Sequence, residues 1–380
     1  MNNKTCSEDY QNRTKTDQDM IYLCTCAVNG TRPNIESIEA VHKDELFEET
    51  EKQLLSSAVG MALESAGIKW ERFTRAIAIA QRKNALLDAD RMKVLSALEE
   101  AGIWYMPLKG SVLKDMYPRY GMRQMADNDI LFDSSRRNDV KRIMEGLGFR
   151  TEHYEFGNHD VYHKEPVSNF EMHAYLINRK TNDKLATYYQ DVKERLIKDK
   201  GNQYGYHFTD EDFYLYLVAH EYKHYTEGGT GLRSLLDTYV FLKQKERDLN
   251  WGYIRQEAER MEVSEFEEMN RKLAMHLFRE EPLSAEEQKM LDYVLSSGAY
   301  GTLENETNNQ IERKGRWGYF FSRLYLSHDD MLREYPVLKR VPILYPVMLI
   351  WRFIYRFFTS HKKFMYQLKA ALGLEKPDQN

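Results

Sequence analysis

Two aspartates separated by one residue, Asp127 and Asp129, are the side chains of this chain best arranged to bind a divalent cation. They lie in a β-prone run that ends at Phe132, and alternate residues of a strand point to the same face. Two adjacent carboxylates repel each other unless a cation lies between them, and Mg²⁺ prefers oxygen ligands. A third acid, Glu171, lies on a later strand-like segment and could converge on the pair.

Upstream of the aspartates, Gly110 and Ser111 stand where a predicted strand, Ile103 to Leu108, gives way to an amphipathic stretch, Val112 to Tyr117. We expect Ser111 to be the N-cap of a helix there. Free backbone N–H groups and the helix dipole favour a phosphate at such a position, and glycine allows its close approach. A phosphate-binding turn, paired aspartates and a distant acid are the parts required for two-metal transfer at a phosphorus centre.

The elements around these residues predict an α/β segment between helical flanks, and hence an α+β fold with a small mixed sheet. Strands are predicted at 149–155, 160–164 and 169–177, with the last two joined as a hairpin around Pro166. The predicted regions are a polar N-terminal segment at 1–33, an N-terminal helical region at 34–101, the α/β core at 102–180, a helical domain at 181–300 and a C-terminal helical, basic and aromatic region at 301–380.

Composition limits the class of protein. With 380 residues, 42% hydrophobic and 30% charged, the chain predicts a folded protein of two or three domains. A net charge of −5 argues against a global nucleic-acid footprint. Three cysteines within the first 26 residues form no disulfide framework, and no apolar run is long enough to span a bilayer. We therefore predict a cytoplasmic protein without a transmembrane segment.

Several motifs resemble those of the uncharacterised bacterial nucleotidyltransferase family, which belongs to the polymerase-β-like nucleotidyltransferase superfamily. The motifs are Leu108-Lys109-Gly110-Ser111, Tyr117-Pro118, Gly121-Met122-Arg123, Asp127-Asn128-Asp129-Ile130-Leu131 and Glu171-Met172-His173. The segment His220-Glu221-Tyr222-Lys223-His224, followed by Leu232-Arg233 and Leu236-Asp237, is also similar. Asn128 departs from the family pattern, which usually has an apolar residue there, and a buried amide at that position needs hydrogen-bond partners.

The resemblance implies a Mg²⁺-dependent enzyme with a small mixed-sheet nucleotidyltransferase core. It would move a nucleoside monophosphate from a nucleoside triphosphate such as ATP to an acceptor hydroxyl and release pyrophosphate. Asp127, Asp129 and Glu171 would be the catalytic ligands of two Mg²⁺ ions. The nucleotide would be bound by Lys109, Gly110, Ser111 and Arg123, with substrate or support roles for His173, His220, Lys223, His224 and Asp237. The acceptor stays open among a small molecule, a sugar, a protein side chain and an RNA end.

Two alternatives to this function are retained. His220, Glu221 and His224 spell the His-Glu-X-X-His motif of zinc metallopeptidases, in which two histidines bind Zn²⁺ and the glutamate is the general base. A non-catalytic nucleotide-binding module with the same fold is the second alternative.

The C-terminal region, from Tyr335 to Leu374, contains seven basic residues interleaved with aromatic ones and no acid. Such a stretch could lie on an anionic membrane surface. We favour a terminal helix that covers the core, with its arginine stems over apolar neighbours, over peripheral membrane contact.

Overall fold

The computed structural model describes residues 5–34, 36, 42–155, 157–179, 181–302, 305–311, 314–315, 318, 331–332 and 335–359. The chain divides into two compact units, one comprising Met1–Lys223 and Thr230–Ala299, the other His224–Gly229 and Tyr300–Asn380. The sheet and every candidate site residue except His224 belong to the first unit. The five-part division of the sequence stays a prediction.

Among the described residues, the helices before the sheet are α1 (Thr5–Asn29), α2 (Lys43–Lys52), α3 (Ser56–Ser65) and α4 (Glu71–Glu100). Helix α1 occupies most of the segment that the sequence predicts as polar and only weakly periodic. Its second half buries Met20, Leu23 and Cys24, and it packs on α2 and α3. The first half is rich in Asn, Asp and Thr and contributes few apolar residues. The helical periodicity of apolar residues is therefore weak when it is taken over the whole segment.

The sheet has five strands in the order β1-β2-β5-β4-β3. The strands are β1 (Tyr105–Pro107), β2 (Asn128–Phe132), β3 (Arg150–His153), β4 (His159–Lys164) and β5 (Ser168–His173). Strands β2 and β5 are parallel, and the other neighbouring pairs are antiparallel. The predicted hairpin is confirmed, because Lys164 pairs with Ser168 across the turn that contains Pro166. The sheet is therefore mixed, as predicted.

One face of the sheet forms the main hydrophobic core. Ile130 and Phe132 of β2 and Phe170 and Met172 of β5 pack there with Val94 and Leu98 of α4 and with Val140 and Met144 of α6 (Arg137–Gly146). Because side chains alternate along a strand, the residues between them, which include Asp129 and Glu171, point to the opposite face. The core thereby fixes which face carries the acids.

Beyond the sheet, the chain is mainly helical. The elements are a short helix α7 (Asp183–Tyr188), a two-stranded sheet of β6 (Ile197–Lys198) and β7 (Tyr206–His207), and the helices α8 (Asp210–Glu227), α9 (Leu232–Lys245), α10 (Trp251–Arg260), α11 (Ser264–Phe278) and α12 (Ala285–Ser297). The two-stranded sheet is absent from the sequence prediction because each of its strands has only two residues.

In the second unit, two 3₁₀ turns (Pro336–Lys339 and Pro342–Leu344) lead into helix α13 (Tyr345–Thr359). The helix confirms the predicted helical character of this region. Its Arg352 is buried, whereas Val347, Ile350 and Trp351 are exposed, and the expectation that the helix covers the core stays a prediction. Lys362, Lys363 and Lys369 of the basic stretch lie outside the described residues. Across the part of the chain that is described, no helix combines the length and apolarity needed to cross a membrane.

Candidate active site

Four polar side chains lie together at one end of the sheet face opposite the core. Asp129 of β2 is in register with Glu171 of β5, and His173 follows two residues later on the same strand. His159, the first residue of β4, is directly opposite His173 across the antiparallel pair. In-register neighbours and alternate residues share a face, so strand pairing brings these four side chains together.

Asp129 is the centre of a buried hydrogen-bonded group. Its Oδ1 atom lies 2.8 Å from Lys109 Nζ and 2.8 Å from His173 Nε2. Burial opposes ionisation of the carboxyl, but Lys109 and His173 outweigh it and hold the pKa of Asp129 well below its usual range. Burial lowers the pKa of His173, yet its contacts with Asp129 and Glu171 raise it above the ordinary histidine value. Lys109 and His173 thus neutralise the charge of the central acid.

Lys109 reaches Asp129 from a strained backbone conformation. It follows β1 with φ of 47° and ψ of −117°, a left-handed region that non-glycine residues seldom adopt. The Leu108 N–H donates to the carbonyl of Asp129 at 2.9 Å, which joins the end of β1 to β2. The strain therefore occurs where the chain turns from the sheet toward Gly110.

Asp127 lies just before β2 and has a different environment from Asp129. Burial, followed by the negative charges of Asp129 and Glu171, raises the pKa of Asp127 to about 6. Lys83 of α4, Arg233 of α9 and Arg123 act on its charge in addition to Lys109. Burial and the two neighbouring acids outweigh these cations, so Asp127 binds a proton more readily than Asp129 does.

Arg123 and Asp237, which the sequence places in nucleotide-binding and support roles, bind each other. Arg123 Nε and Nη2 each lie 2.8 Å from one oxygen of Asp237, and both side chains are buried. The Tyr117 hydroxyl donates to the same carboxylate at 2.7 Å. A β-carbon added to Gly110 would lie 2.5 Å from Arg123 Nη1. The clamp between Arg123 and Asp237 thus supports the turn after β1, and a direct contact of Arg123 with nucleotide stays a prediction.

The prediction that Ser111 is an N-cap is wrong. Helix α5 begins one residue earlier and is short (Gly110–Leu113), and a 3₁₀ turn (Lys114–Met116) follows it. Ser111 is buried inside the first turn, and its hydroxyl donates to the carbonyl of Leu108 at 2.7 Å. A phosphate-binding role of Gly110 and Ser111 stays a prediction.

Asn128, the departure from the family pattern, has the partners that a buried amide needs. It shares the core-side face of β2 with Ile130, its Nδ2 donates to the Leu87 carbonyl at 3.0 Å, and its Oδ1 accepts from Arg91 at 3.0 Å. The substitution therefore affects packing against α4 and leaves the acidic face unchanged.

The structure gives the peptidase alternative no support. Glu221, the general base in that hypothesis, is buried in α8 and accepts hydrogen bonds from Thr238 and Asn270. Burial, followed by the charge of Asp237, raises the pKa of Glu221 to about 8. Among the described residues, the one group of three side chains spaced to hold a metal includes neither His220 nor His224. Their substrate or support roles, and that of Lys223 on the same helix, stay predictions.

Four residues at this site are absent from the predicted set: Lys83, His159, Tyr216 and Arg233. Tyr216 of α8 acts electrostatically on Lys109, and its ring lies beside that of His220, with centroids 6.2 Å apart and an interplanar angle of 49°. Its hydroxyl is buried and has no hydrogen-bond partner among the described residues. Lys83 and Tyr216 stand in ordinary helical patterns that carry no chemical signal. Arg233 belongs to a motif quoted for the family resemblance, but no role is predicted for it there.

Residues 43–279 match the model of an uncharacterised nucleotidyltransferase family. The match spans the helices α2 to α4, the whole sheet and the helices through α11. The chain belongs to this family, and the resemblance noted in its sequence is confirmed. No curated protein and no solved structure matches the chain significantly.

Proposed function

We propose that the chain transfers a nucleoside monophosphate from a nucleoside triphosphate to an acceptor hydroxyl in a Mg²⁺-dependent reaction. The acceptor oxygen forms a bond to the α-phosphorus, the bond from that phosphorus to the bridging oxygen breaks, pyrophosphate leaves with the electron pair, and the hydroxyl proton passes to solvent. The observation that carries the proposal is the register of Asp129 with Glu171 on adjacent parallel strands, with Asp127 two residues before Asp129.

The donor atoms at this face fit Mg²⁺. Asp127, Asp129 and Glu171 offer the carboxylate oxygens that this ion prefers. The raised pKa of Asp127, caused by burial and by the two neighbouring acids, reflects negative charge that a divalent cation would neutralise. When bound, Mg²⁺ supplies positive charge that stabilises charge developing on the reacting phosphate.

Three cations of the chain surround the acids from the side of β1 and the helices. Lys109 follows β1, Lys83 comes from α4 and Arg233 from α9, and the charge of each acts on Asp127. Together they support binding of a polyphosphate on this side. We expect these residues to hold the triphosphate tail so that its α-phosphorus faces the three carboxylates.

A cavity beside the site supports a place for the acceptor. It has a volume of about 500 Å³. Residues just before β4 and residues that follow β5 line it, among them Asn158, Asn178 and Tyr189. Asn158 also contacts the candidate active site, because its Nδ2 lies 3.4 Å from Nδ1 of His173. An acceptor in this cavity would lie next to His173, at the edge of the proposed catalytic site.

The test is a transfer assay with triphosphates labelled at either the α- or the γ-phosphate, incubated with Mg²⁺ and cell extract. Label from the α-position, but not from the γ-position, should appear in an acceptor. The Asp127→Asn/Asp129→Asn double variant should lose transfer, because asparagine keeps the shape of each side chain but removes its charge. The matched control is Asp133→Asn, at the end of the same strand, where the side chain accepts from the Ser135 N–H.

Three results would contradict the proposal. Transfer that persists in the double variant would place the chemistry elsewhere, and transfer of γ-label would indicate a kinase. Binding of triphosphate without transfer in any extract would favour the non-catalytic module.

A further inference from the structure

A second set of metal ligands adjoins the carboxylates, and it contains two histidines. We propose that His159, Glu171 and His173 form a binding site for a divalent transition-metal ion of the Zn²⁺ class, distinct in chemistry from an all-carboxylate Mg²⁺ site. The three ligand atoms lie within 4.8 Å of one another. The site shares Glu171 with the proposed catalytic centre, but its test measures metal binding and requires no turnover.

The geometry of the three ligands is set by one hairpin. His159 and His173 face each other across β4 and β5, with ring centroids 5.0 Å apart, and Glu171 is two residues before His173. Glu171 Oε2 lies 3.7 Å from His159 Nε2 and 3.5 Å from His173 Nε2. Ligands about 2.1 Å from a tetrahedral ion are separated by about 3.4 Å, so both separations from Glu171 already match, and the two histidine nitrogens lie within 4.8 Å of each other.

The donor types select the metal. Imidazole nitrogen is a preferred ligand of Zn²⁺ and its neighbours in the first transition row, whereas Mg²⁺ prefers carboxylate and water oxygen. Three protein ligands also leave coordination positions open, as in zinc sites that bind substrate or water. Two histidines and one carboxylate on one hairpin therefore favour a transition-metal ion over Mg²⁺ even where Mg²⁺ is abundant.

The surroundings of both rings are compatible with metal binding. Nε2 of His173 lies 2.8 Å from Asp129 Oδ1, so an ion bound at this nitrogen would take the place of the proton that the two side chains share. Nδ1 of His159 is buried and has no hydrogen-bond partner among the described residues. Metal binding would therefore break no hydrogen bond of His159 Nδ1 to a described residue. The other ring nitrogen, Nε2, lies 3.7 Å from Glu171 Oε2.

The experiment is a calorimetric titration of the metal-stripped full chain with Zn²⁺ in excess Mg²⁺. Elemental analysis after dialysis then counts the bound ions. We expect one Zn²⁺ per chain that Mg²⁺ does not displace. His159→Ala should weaken Zn²⁺ binding by at least about tenfold. If this variant fails to fold by circular dichroism, His159→Gln takes its place, and Co²⁺ bound to the wild type should show the visible absorption of nitrogen ligation.

Two control variants locate the ion. His163→Ala changes another histidine of β4, which pairs with Glu152 away from the cluster, and should leave Zn²⁺ binding unchanged. His220→Ala removes a ligand of the rejected peptidase motif and should also have no effect. The proposal is overturned if Mg²⁺ displaces the Zn²⁺, if His159→Ala and His159→Gln bind it normally, or if His220→Ala abolishes binding. If the wild-type chain binds Zn²⁺ as expected but transfers no nucleotide, only the proposed function is contradicted.

Discussion

The pair formed by Arg123 and Asp237 gives a prediction whose size follows from its burial. Replacing Arg123 by Met would leave the Asp237 carboxylate buried, with the Tyr117 hydroxyl as its remaining donor in this group. Removal of one partner of a buried ion pair costs about 3–5 kcal/mol of stability, because the other charge is left uncompensated. We expect Arg123→Met to lower the free energy of unfolding by an amount in this range.

The double variant Arg123→Met/Asp237→Asn should recover most of that loss. The asparagine carries no charge, and its oxygen can still accept from Tyr117. Urea unfolding, monitored by tryptophan fluorescence and by far-UV circular dichroism, measures Arg123→Met, Asp237→Asn and the double variant, and coincident curves from the two probes establish a two-state transition. The double-mutant cycle should give a coupling energy of about 2–3 kcal/mol. The buried ion pair would be shown not to stabilise the fold if the losses in unfolding free energy of the two single variants simply add in the double variant. A loss below about 1 kcal/mol for Arg123→Met would show the same.

The same double variant tests whether Arg123 only supports the turn at Gly110 or also contacts the nucleotide. If Arg123 acts only by supporting the turn at Gly110, the recovered variant should bind Mg²⁺-triphosphate as the wild type does. If its affinity falls by about tenfold or more while its stability is restored, the direct contact predicted from the sequence is correct, since that difference corresponds to about 1.4 kcal/mol of lost binding energy. Equilibrium dialysis with labelled triphosphate measures this affinity.

Two further predictions concern single residues. Gly110→Ala should destabilise the protein by about 1–3 kcal/mol, because its β-carbon would meet the fixed Arg123 guanidinium, whereas Gly146→Ala, with nothing near the added carbon, should be neutral or stabilising in the same denaturation assay. Glu221 titrates near pH 8 in the folded chain, above its ordinary value, so the folded state holds a proton that the unfolded state has lost. Wild-type stability should therefore fall from about pH 5 to pH 8, and Glu221→Gln should exceed it at pH 8 by on the order of 3 kcal/mol. Equal pH slopes for the two proteins would contradict the assignment.

The sequence predicts the central elements of the sheet because alternation and turn residues are local signals. Asp127 and Asp129 could be identified for the same reason, since their spacing alone places them on one face. Glu171 could be proposed from its strand-like segment, but its approach to Asp129 depends on a strand pairing that no local pattern encodes. The contact between His159 and His173 depends on the register of β4 with β5, so His159 could not be found from spacing.

Ser111 and Arg123 show a second limit of sequence analysis. Ser111 precedes a helical pattern, which is typical of an N-cap, but the helix begins at Gly110 because the strained Lys109 turns the chain earlier. Arg123 resembles a phosphate ligand in its motif, yet a carboxylate more than a hundred residues later binds two of its nitrogens. Tertiary partners decide both outcomes, and a single sequence does not reveal them.

The parallel pairing of β2 with β5 has a consequence for how the protein folds. The β4–β5 hairpin is local and closes early, whereas Asp129 and His173 are 44 residues apart and meet only after the chain between them is in place. During synthesis, the paired aspartates leave the ribosome well before their partner acid. The centre is thus completed at a late step of folding, and ions or nucleotides that need all of its groups stabilise the finished domain and not its precursors.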